Sequence, residues 1–256
     1  MVDHSSTPAS LPGLPDLAVV VPVRNEQDNI LLLIEEIHAA LDDGHVDFEV
    51  VYVDDGSDDG TPARLREARQ RFPRLRVVRH RTSCGQSQAV ITGVKAARAP
   101  WIATIDGDGQ NDPADIPAML EASRATGPNA ALTLIAGHRR ERRDTWVKRI
   151  SSRIANGVRR RLLGDDTPDT GCGLKLFARE TFLDMPRFDH MHRFLPALMI
   201  RAGGRVVSVP VHHRPRERGT SKYGTWDRLW VGLVDLAGVM WLQHRARRPI
   251  IDESEG

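Results

Sequence analysis

From Leu17 to Asp106 the sequence alternates between short, unbroken apolar runs and longer stretches of helical periodicity, and few folds accept that alternation. Leu17-Ala-Val-Val-Val-Pro22-Val23 contains no polar residue, the mark of a strand covered on both faces. Arg24-Asn-Glu26 then turns into a segment whose apolar positions Ile30, Leu33, Ile34, Ile37 and Leu41 follow one helical stripe. The strand signal returns over 48–53, 75–78 and 101–106, with helices expected over 61 to about 72 and over 85–97. Thr61-Pro62 reads as an N-cap followed by proline at the first helical position. Two later runs, 130–137 and 205–210, add a fifth and a sixth strand. Strands and helices alternating at this spacing predict an α/β chain with a mostly parallel, doubly wound sheet. Ligands of such sheets bind beyond the carboxyl ends of the strands.

Acids gather at that edge. Glu26, Asp54, Asp55, Asp106 and Asp108 each follow a strand end. Crowded carboxylates are costly unless a cation or hydrogen-bond donors neutralise them. In Ile105-Asp106-Gly107-Asp108-Gly109-Gln110 two carboxylates stand two residues apart, and the glycines let the backbone turn sharply and approach a ligand. Paired hard oxygens suit Mg²⁺ or Mn²⁺, completed by substrate phosphates. No GxGxxG follows the first strand and no Walker lysine motif is found, which argues against dinucleotide binding and ATP hydrolysis. A nucleotide sugar, with base and ribose donors and a metal-carrying diphosphate, fits the acid row better.

Three segments, taken in order, resemble a known family. Val21-Pro22-Val23-Arg24-Asn25-Glu26, then Val53-Asp54-Asp55-Gly56-Ser57 with Asp59-Gly60-Thr61, then Asp106-Gly-Asp108 with Gln110, are similar to the motifs of family-two glycosyltransferases. Within that family the likeness is to dolichyl-phosphate mannose synthase and the bacterial polyprenyl-phosphate glycosyltransferases, and it runs from about Asp16 to Lys222. It implies a GT-A fold, the Rossmann-like fold of nucleotide-diphospho-sugar transferases. It also implies that Pro22, Glu26, Val53 and Asp55 line the nucleoside pocket with Asp54 beside them. Arg24, where relatives often carry Tyr or Phe, can stack on a base through its planar guanidinium. Asp106, Asp108 and Gln110 would hold metal and diphosphate, with Gly107 letting the backbone close on them. Arg216-Glu-Arg-Gly-Thr-Ser-Lys222 matches the family's loop over donor phosphates. By the same resemblance Arg139 contacts phosphate and Arg149 holds the acceptor phosphate. The segment from Asp169 to Lys175 matches a family motif in which Cys172 replaces Ser and Lys175 replaces Arg. Asp169 and Lys175 could equally form a structural pair.

The middle of the chain is basic. Arg139, Arg140, Arg142, Arg143, Lys148, Arg149, Arg153 and Arg159 to Arg161 flank an apolar seam of Trp146, Ile150, Ile154, Val158 and Leu162. Scarce aromatics and the lack of a matching motif argue against nucleic acid. A solvated surface helix and a lipid-facing amphipathic helix remain, and the family resemblance favours the second. Transfer to a hydroxyl needs a general base, and no convincing one is evident. A phosphate monoester, with a second pKa near 6, is already an anionic nucleophile. The expectation is therefore an inverting transferase that joins a sugar from a UDP- or GDP-sugar to a polyprenyl phosphate such as undecaprenyl or dolichyl phosphate. Its alternatives are transfer to a non-lipid hydroxyl in envelope glycan synthesis, a nucleotidyltransferase, and a non-catalytic nucleotide-binding adaptor. A nucleotidyltransferase would carry a glycine-rich basic loop, absent after Val23.

The remaining signals set boundaries. Residues 1–15 read as a polar lead without a signal-peptide core, 16–223 as the GT-A domain and 224–256 as a C-terminal amphipathic helix with a basic tail. Trp226, Trp230, Leu233, Val234, Ala237 and Trp241 form its stripe, suited to a membrane interface, to dimerisation, to a separate membrane protein or to packing on the core. No segment is long and apolar enough to span a bilayer, so the expected place is cytoplasmic, peripheral on the inner face of the cell membrane. Cys84 and Cys172 lack metal-ligand spacing and suggest a reducing compartment. His192 opens a helix near the expected acceptor mouth, where it could touch phosphate or sugar. Adjacent His212 and His213 would face opposite ways on a strand, which argues against their sharing a metal.

Overall fold

The computed structural model describes residues 13–42, 45–139, 157, 159–215 and 225–246, and only the backbone of 225–231. Arg149, Arg216 and Lys222 lie outside the described residues, as does nearly all of the basic helix expected between Trp146 and Leu162. Strands β1 (Leu17–Val23), β2 (Phe48–Asp54), β3 (Leu75–Arg79), β4 (Trp101–Thr104), β5 (Thr133–Arg139), β6 (Lys175–Ala178) and β7 (Arg205–Val211) form one sheet in the order β3-β2-β1-β4-β6-β5-β7. Every neighbouring pair is parallel except those made by β6, which runs antiparallel to both β4 and β5.

Helices α1 (Ile30–Leu41), α2 (Thr61–Arg71) and α4 (Ile116–Arg124) cover one face, while α3 (Gln86–Ala96), α5 (Arg179–Leu183), α6 (Leu195–Arg201) and α7 (Thr225–His244) share the other. Strand β1 supplies both cores because its side chains alternate. Leu17, Val19 and Val21 pack with Leu33, Ile37 and Leu65, whereas Ala18 and Val20 pack with Val53, Val94 and Leu195. The two-sided burial expected of an unbroken apolar strand is therefore present, and so is the expected helical stripe from Ile30 to Leu41. Pro22 costs β1 nothing on its β4 side, since the paired register there ends at Val20 opposite Thr104.

Several local expectations are corrected. The N-cap position of α2 is Gly60, and Thr61 instead uses its hydroxyl to accept from the Glu26 backbone N–H at 2.9 Å. The run from Ala130 does not begin a strand. Gly127–Leu132 is a 3₁₀ turn, closed by the Thr133 hydroxyl donating to the Asn129 carbonyl at 2.7 Å, and β5 starts at Thr133. Strand β4 ends at Thr104, although Ile105 N–H still reaches the Val20 carbonyl at 3.1 Å. Strand β6 was absent from the pattern altogether, because it spans four residues and begins with a lysine. At the edge of the second core, Leu163 is buried while Leu162, assigned to the apolar seam, is 39 % exposed.

Helix α3 lies flush on the sheet because Gly93 has no side chain. A Cβ there would meet Val20 Cγ1 at 2.4 Å and Val53 Cγ2 at 3.1 Å, both on buried strand residues. Helix propensity favours Ala over Gly by about 1 kcal/mol, whereas overpacking a core costs about 1–3 kcal/mol. The clash should win. Gly93→Ala is expected to lower stability by about 1–2 kcal/mol in urea unfolding, and a stabilised variant would mean that the α3–β1 contact is loose.

Candidate active site

Two loops at the carboxyl edge are laced together before any acid is considered. Asn25, in the left-handed region at φ 57°, donates its N–H to Ser57 Oγ at 2.9 Å, and Asp58 N–H donates to Asn25 Oδ1 at 3.0 Å. Gly60 N–H donates to Gln27 Oε1 at 2.8 Å. These bonds, with the one to Thr61, fix the segment from Pro22 to Glu26 beside the end of β2, where Pro22 pairs in register with Val53. Arg24 points outward and is exposed, and Glu26 accepts from Asn29 Nδ2 at 2.7 Å.

The acids of the edge differ in how the protein neutralises them. Asp54 is fully buried, accepts from Ser57 N–H at 2.9 Å and lies 3.1 Å from the Arg79 guanidinium. Asp55 accepts four bonds: His80 Nδ1 at 2.7 Å and Cys84 N–H at 2.8 Å on one oxygen, Ser83 Oγ at 2.7 Å and Gly85 N–H at 2.9 Å on the other. Burial alone would raise its pKa, but these donors outweigh it and hold the carboxyl below its usual range. Asp106 is different. It accepts from Gln86 Nε2 at 2.8 Å, and burial followed by the charge of Asp108 pushes its pKa up to about 6, against the pull of Lys175 and Arg139. Asp108 accepts from Gln110 N–H at 3.1 Å.

Asp106 is also held in a fitted recess. A Cβ on Gly173 would fall 2.2 Å from its carboxylate, and one on Gly107 would fall 2.3 Å from Val23 Cγ1 and 3.1 Å from the Pro22 carbonyl. Two hard-oxygen groups whose cost the protein offsets only in part are the donor set that suits a divalent cation, so these residues fit Mg²⁺ or Mn²⁺. Asp55, His80 and Cys84 also bring ligand atoms within 4.8 Å of one another. The Asp55 oxygens there are already saturated by protein donors, so the Asp106–Asp108 pair is the better cation site.

Beneath this pair lies a second layer of charge. Arg139, at the end of β5, makes a two-pronged pair with buried Asp169 at 2.6 and 2.7 Å. That settles the open pairing: Asp169 partners Arg139, while buried Lys175 donates to the Cys172 carbonyl. Burial lowers the pKa of Lys175, and the carboxylate of Asp106 works against that. On the other side of the Asp106–Asp108 turn, Arg214 N–H donates to the Gln110 carbonyl at 2.9 Å and Asn111 bridges to His213. Gln110 Nε2 reaches the Arg214 carbonyl at 3.4 Å, so its side chain is turned toward the end of β7. His212 pairs with Asp115 at 2.8 Å.

Gln86, His80 and Ser83 lie in no motif that sequence spacing exposes, and Gly173 lies in the Asp169–Lys175 segment with no role of its own assigned; all reach the acids across 20 residues or more of chain, as Gln86 does to Asp106. Helix α7 presents a further feature. Leu236, Val239 and Met240 pack on the core, and Asp235 pairs with His190 at 3.0 Å. The stripe residues Leu233, Val234 and Trp241 face away and are 51 %, 57 % and 60 % exposed. The side chains of Trp226 and Trp230, also in that stripe, lie outside the described residues. No helix among the described residues is long and apolar enough to cross a membrane.

A sheet of this order is that of the GT-A fold, and solved structures agree. Glucosyl-3-phosphoglycerate synthase from Mycobacterium tuberculosis, solved with Mg²⁺ and UDP, superposes with a TM-score of 0.66 at 19 % identity over 90 % of this chain and 79 % of that one. A mannosyltransferase from Pyrobaculum calidifontis, solved with GDP-mannose and Mn²⁺, gives 0.57 at 17 % identity over 92 % and 74 %. The model of glycosyl transferase family 2 matches residues 18–185, and the chain belongs to that family. Dodecaprenyl-phosphate galacturonate synthase of Rhizobium johnstonii is 35 % identical over 91 % of this chain and 69 % of its own length. Undecaprenyl-phosphate 4-deoxy-4-formamido-L-arabinose transferase of Edwardsiella ictaluri is 35 % identical over 81 % of this chain and 63 % of its own, so the chain spans about two thirds of these relatives.

The raised Asp106 carboxyl has a stability consequence. Its folded pKa of about 6 exceeds the unfolded value of about 3.9, so the native state binds the proton more tightly and loses stability as pH rises from about 4 to about 6. Asp106→Asn should therefore be more stable than the parent at pH 7.5 in EDTA, by at most about 3 kcal/mol. The gain should fade as pH drops toward 4. Urea unfolding at several pH values checks this, and a gain independent of pH would contradict the raised pKa of Asp106.

Proposed function

We propose that this chain is an inverting glycosyltransferase that moves a sugar from a nucleotide-diphosphate sugar, a UDP- or GDP-sugar, to a polyprenyl phosphate at the inner face of the membrane. The single observation that carries the reading is the Asp106–Asp108 pair, its cost offset only in part, with the buried Arg139–Asp169 pair and Lys175 close beneath it. The names of the two sequence relatives, both polyprenyl-phosphate enzymes, support the acceptor class.

In this reading the nucleoside lies along Pro22, Arg24, Glu26, Val53, Asp54 and Asp55, on loops already laced together. Gly107 lets the backbone approach the diphosphate, Gln110 braces the turn against β7, and Arg216 and Lys222 close over the phosphates. Asp106 and Asp108 would hold the divalent cation, which supplies charge neutralisation of the departing nucleoside diphosphate. Arg139 and Arg149 keep the acceptor phosphate near the donor despite their like charge. An acceptor phosphate oxygen attacks the anomeric carbon, the bond from that carbon to the diphosphate oxygen breaks, and the electron pair leaves with the diphosphate. One displacement inverts the centre. The acceptor needs no deprotonation, in keeping with His192, which burial pushes down to about 3, too weak a base for a hydroxyl at neutral pH.

The exposed stripe of α7 supports a peripheral membrane position. Leu233, Val234 and Trp241 would enter the interface while exposed Arg245 meets anionic headgroups.

Two experiments test this. Nucleoside diphosphate release from a panel of UDP- and GDP-sugars should depend on added undecaprenyl phosphate, and Asp108→Ala should cut it by about 10²-fold or more with an unchanged circular dichroism spectrum. Lipid-independent release would point to a hydroxyl acceptor, and full activity in Asp108→Ala would remove the cation site. Separately, Leu233→Ser with Trp241→Ser should lower flotation on anionic vesicles by roughly tenfold or more, since each apolar side chain contributes about 1.5–3 kcal/mol on burial. Unchanged flotation would place membrane contact elsewhere, Trp230 included.

A further inference from the structure

Ser87 and His192 come from segments 105 residues apart and meet behind the Asp106 recess. Ser87, in the first turn of α3, is buried, and its Oγ lies 2.7 Å from His192 Nδ1. The same oxygen accepts the His192 backbone N–H at 3.2 Å. A hydroxyl has one proton to give, and Nδ1 is the acceptor the described residues offer it. Nδ1 therefore accepts, which leaves a neutral ring with its proton on Nε2. The ring is kept neutral by burial first, then by the charges of Lys175, Arg193 and His190. It lines the same cavity as Asp106, together with Pro22, Gln86, Gly173 and Lys175.

The chemistry of that wall narrows what it can meet. An uncharged N–H donor suits a neutral hydroxyl oxygen, whereas the charged Lys175 on the same wall is the group suited to a phosphate. The next residue back from Ser87 is Gln86, whose amide holds Asp106. One turn of α3 thus orients both the carboxylate and the imidazole.

We propose that His192 is a specificity-determining residue, its Nε2–H donating to a hydroxyl oxygen of the sugar carried by the donor. The assignment rests on the transferase reading above. His192→Gln can place an amide N–H near the position of Nε2, while His192→Asn places its polar atoms near Nδ1 and so keeps only the Ser87 side of the ring. With undecaprenyl phosphate and a panel of UDP-glucose, UDP-galacturonate and GDP-mannose, the best donor should lose about tenfold to a hundredfold in kcat/KM in His192→Asn and much less in His192→Gln. The reverse order would assign His192 to bracing Ser87 and overturn the proposal. Nitrogen-15 NMR of the ring in the wild-type protein should show protonated Nε2 and bare Nδ1 at pH 7, and the opposite tautomer would also overturn it. Failure of the wild-type protein to turn over any donor would instead defeat the transferase reading, and the proposal with it.

Discussion

Desolvation of one carboxylate beside a second governs the site of this molecule. Asp106 and Asp108 follow the end of a buried parallel strand, and desolvation followed by the charge of Asp108 raises the Asp106 carboxyl. Other acids on the same edge are compensated by the protein: Asp54 by the Ser57 amide and the charge of Arg79, Asp55 by four hydrogen bonds. Asp106 receives Gln86 and the more distant fields of Lys175 and Arg139, and its carboxyl still rises to about 6. Such a donor set fits a divalent cation, and Lys175, Arg139 and Gln86 offset the cost of Asp106 only in part.

That support comes from the second half of the chain. Strand β6 inserts antiparallel between β4 and β5, bringing Gly173 against Asp106 and the Lys175 ammonium beneath it. The residues just before β6 supply Asp169, which fixes Arg139 at the end of β5. Arg214, just past β7, ties the turn after Asp108 through Gln110 and pairs with Asp112 at 2.8 Å. The acids of the edge thus follow β1, β2 and β4, while Arg139 and Lys175 come from β5 and β6.

Much of this was legible beforehand, for reasons that differ by element. Strands β1 and β2 and helix α1 announce themselves because two-sided burial demands unbroken apolar runs and one-sided burial demands a helical stripe. The carboxylate row is legible because parallel strands in one sheet must end on one edge. Strand β6 was not, since four residues led by lysine carry no period, and its lysine is tolerated only because the Cys172 carbonyl and nearby carboxylates receive it. Thr61 misled as a cap because its hydroxyl has a distant partner, Glu26 N–H, that local spacing cannot reveal.

By itself the sequence determined the α/β class, the strand ends that carry acids, the paired aspartates and an amphipathic C-terminal helix, all of which follow from local periodicity. Tertiary structure alone decided which acids are already neutralised, that Arg139 and not Lys175 holds Asp169, and which face of α7 meets the core. The physical reason is range. Burial and periodicity act over a few residues, whereas charge compensation depends on donors such as Gln86, Gly85 and Lys175 that arrive from far along the chain.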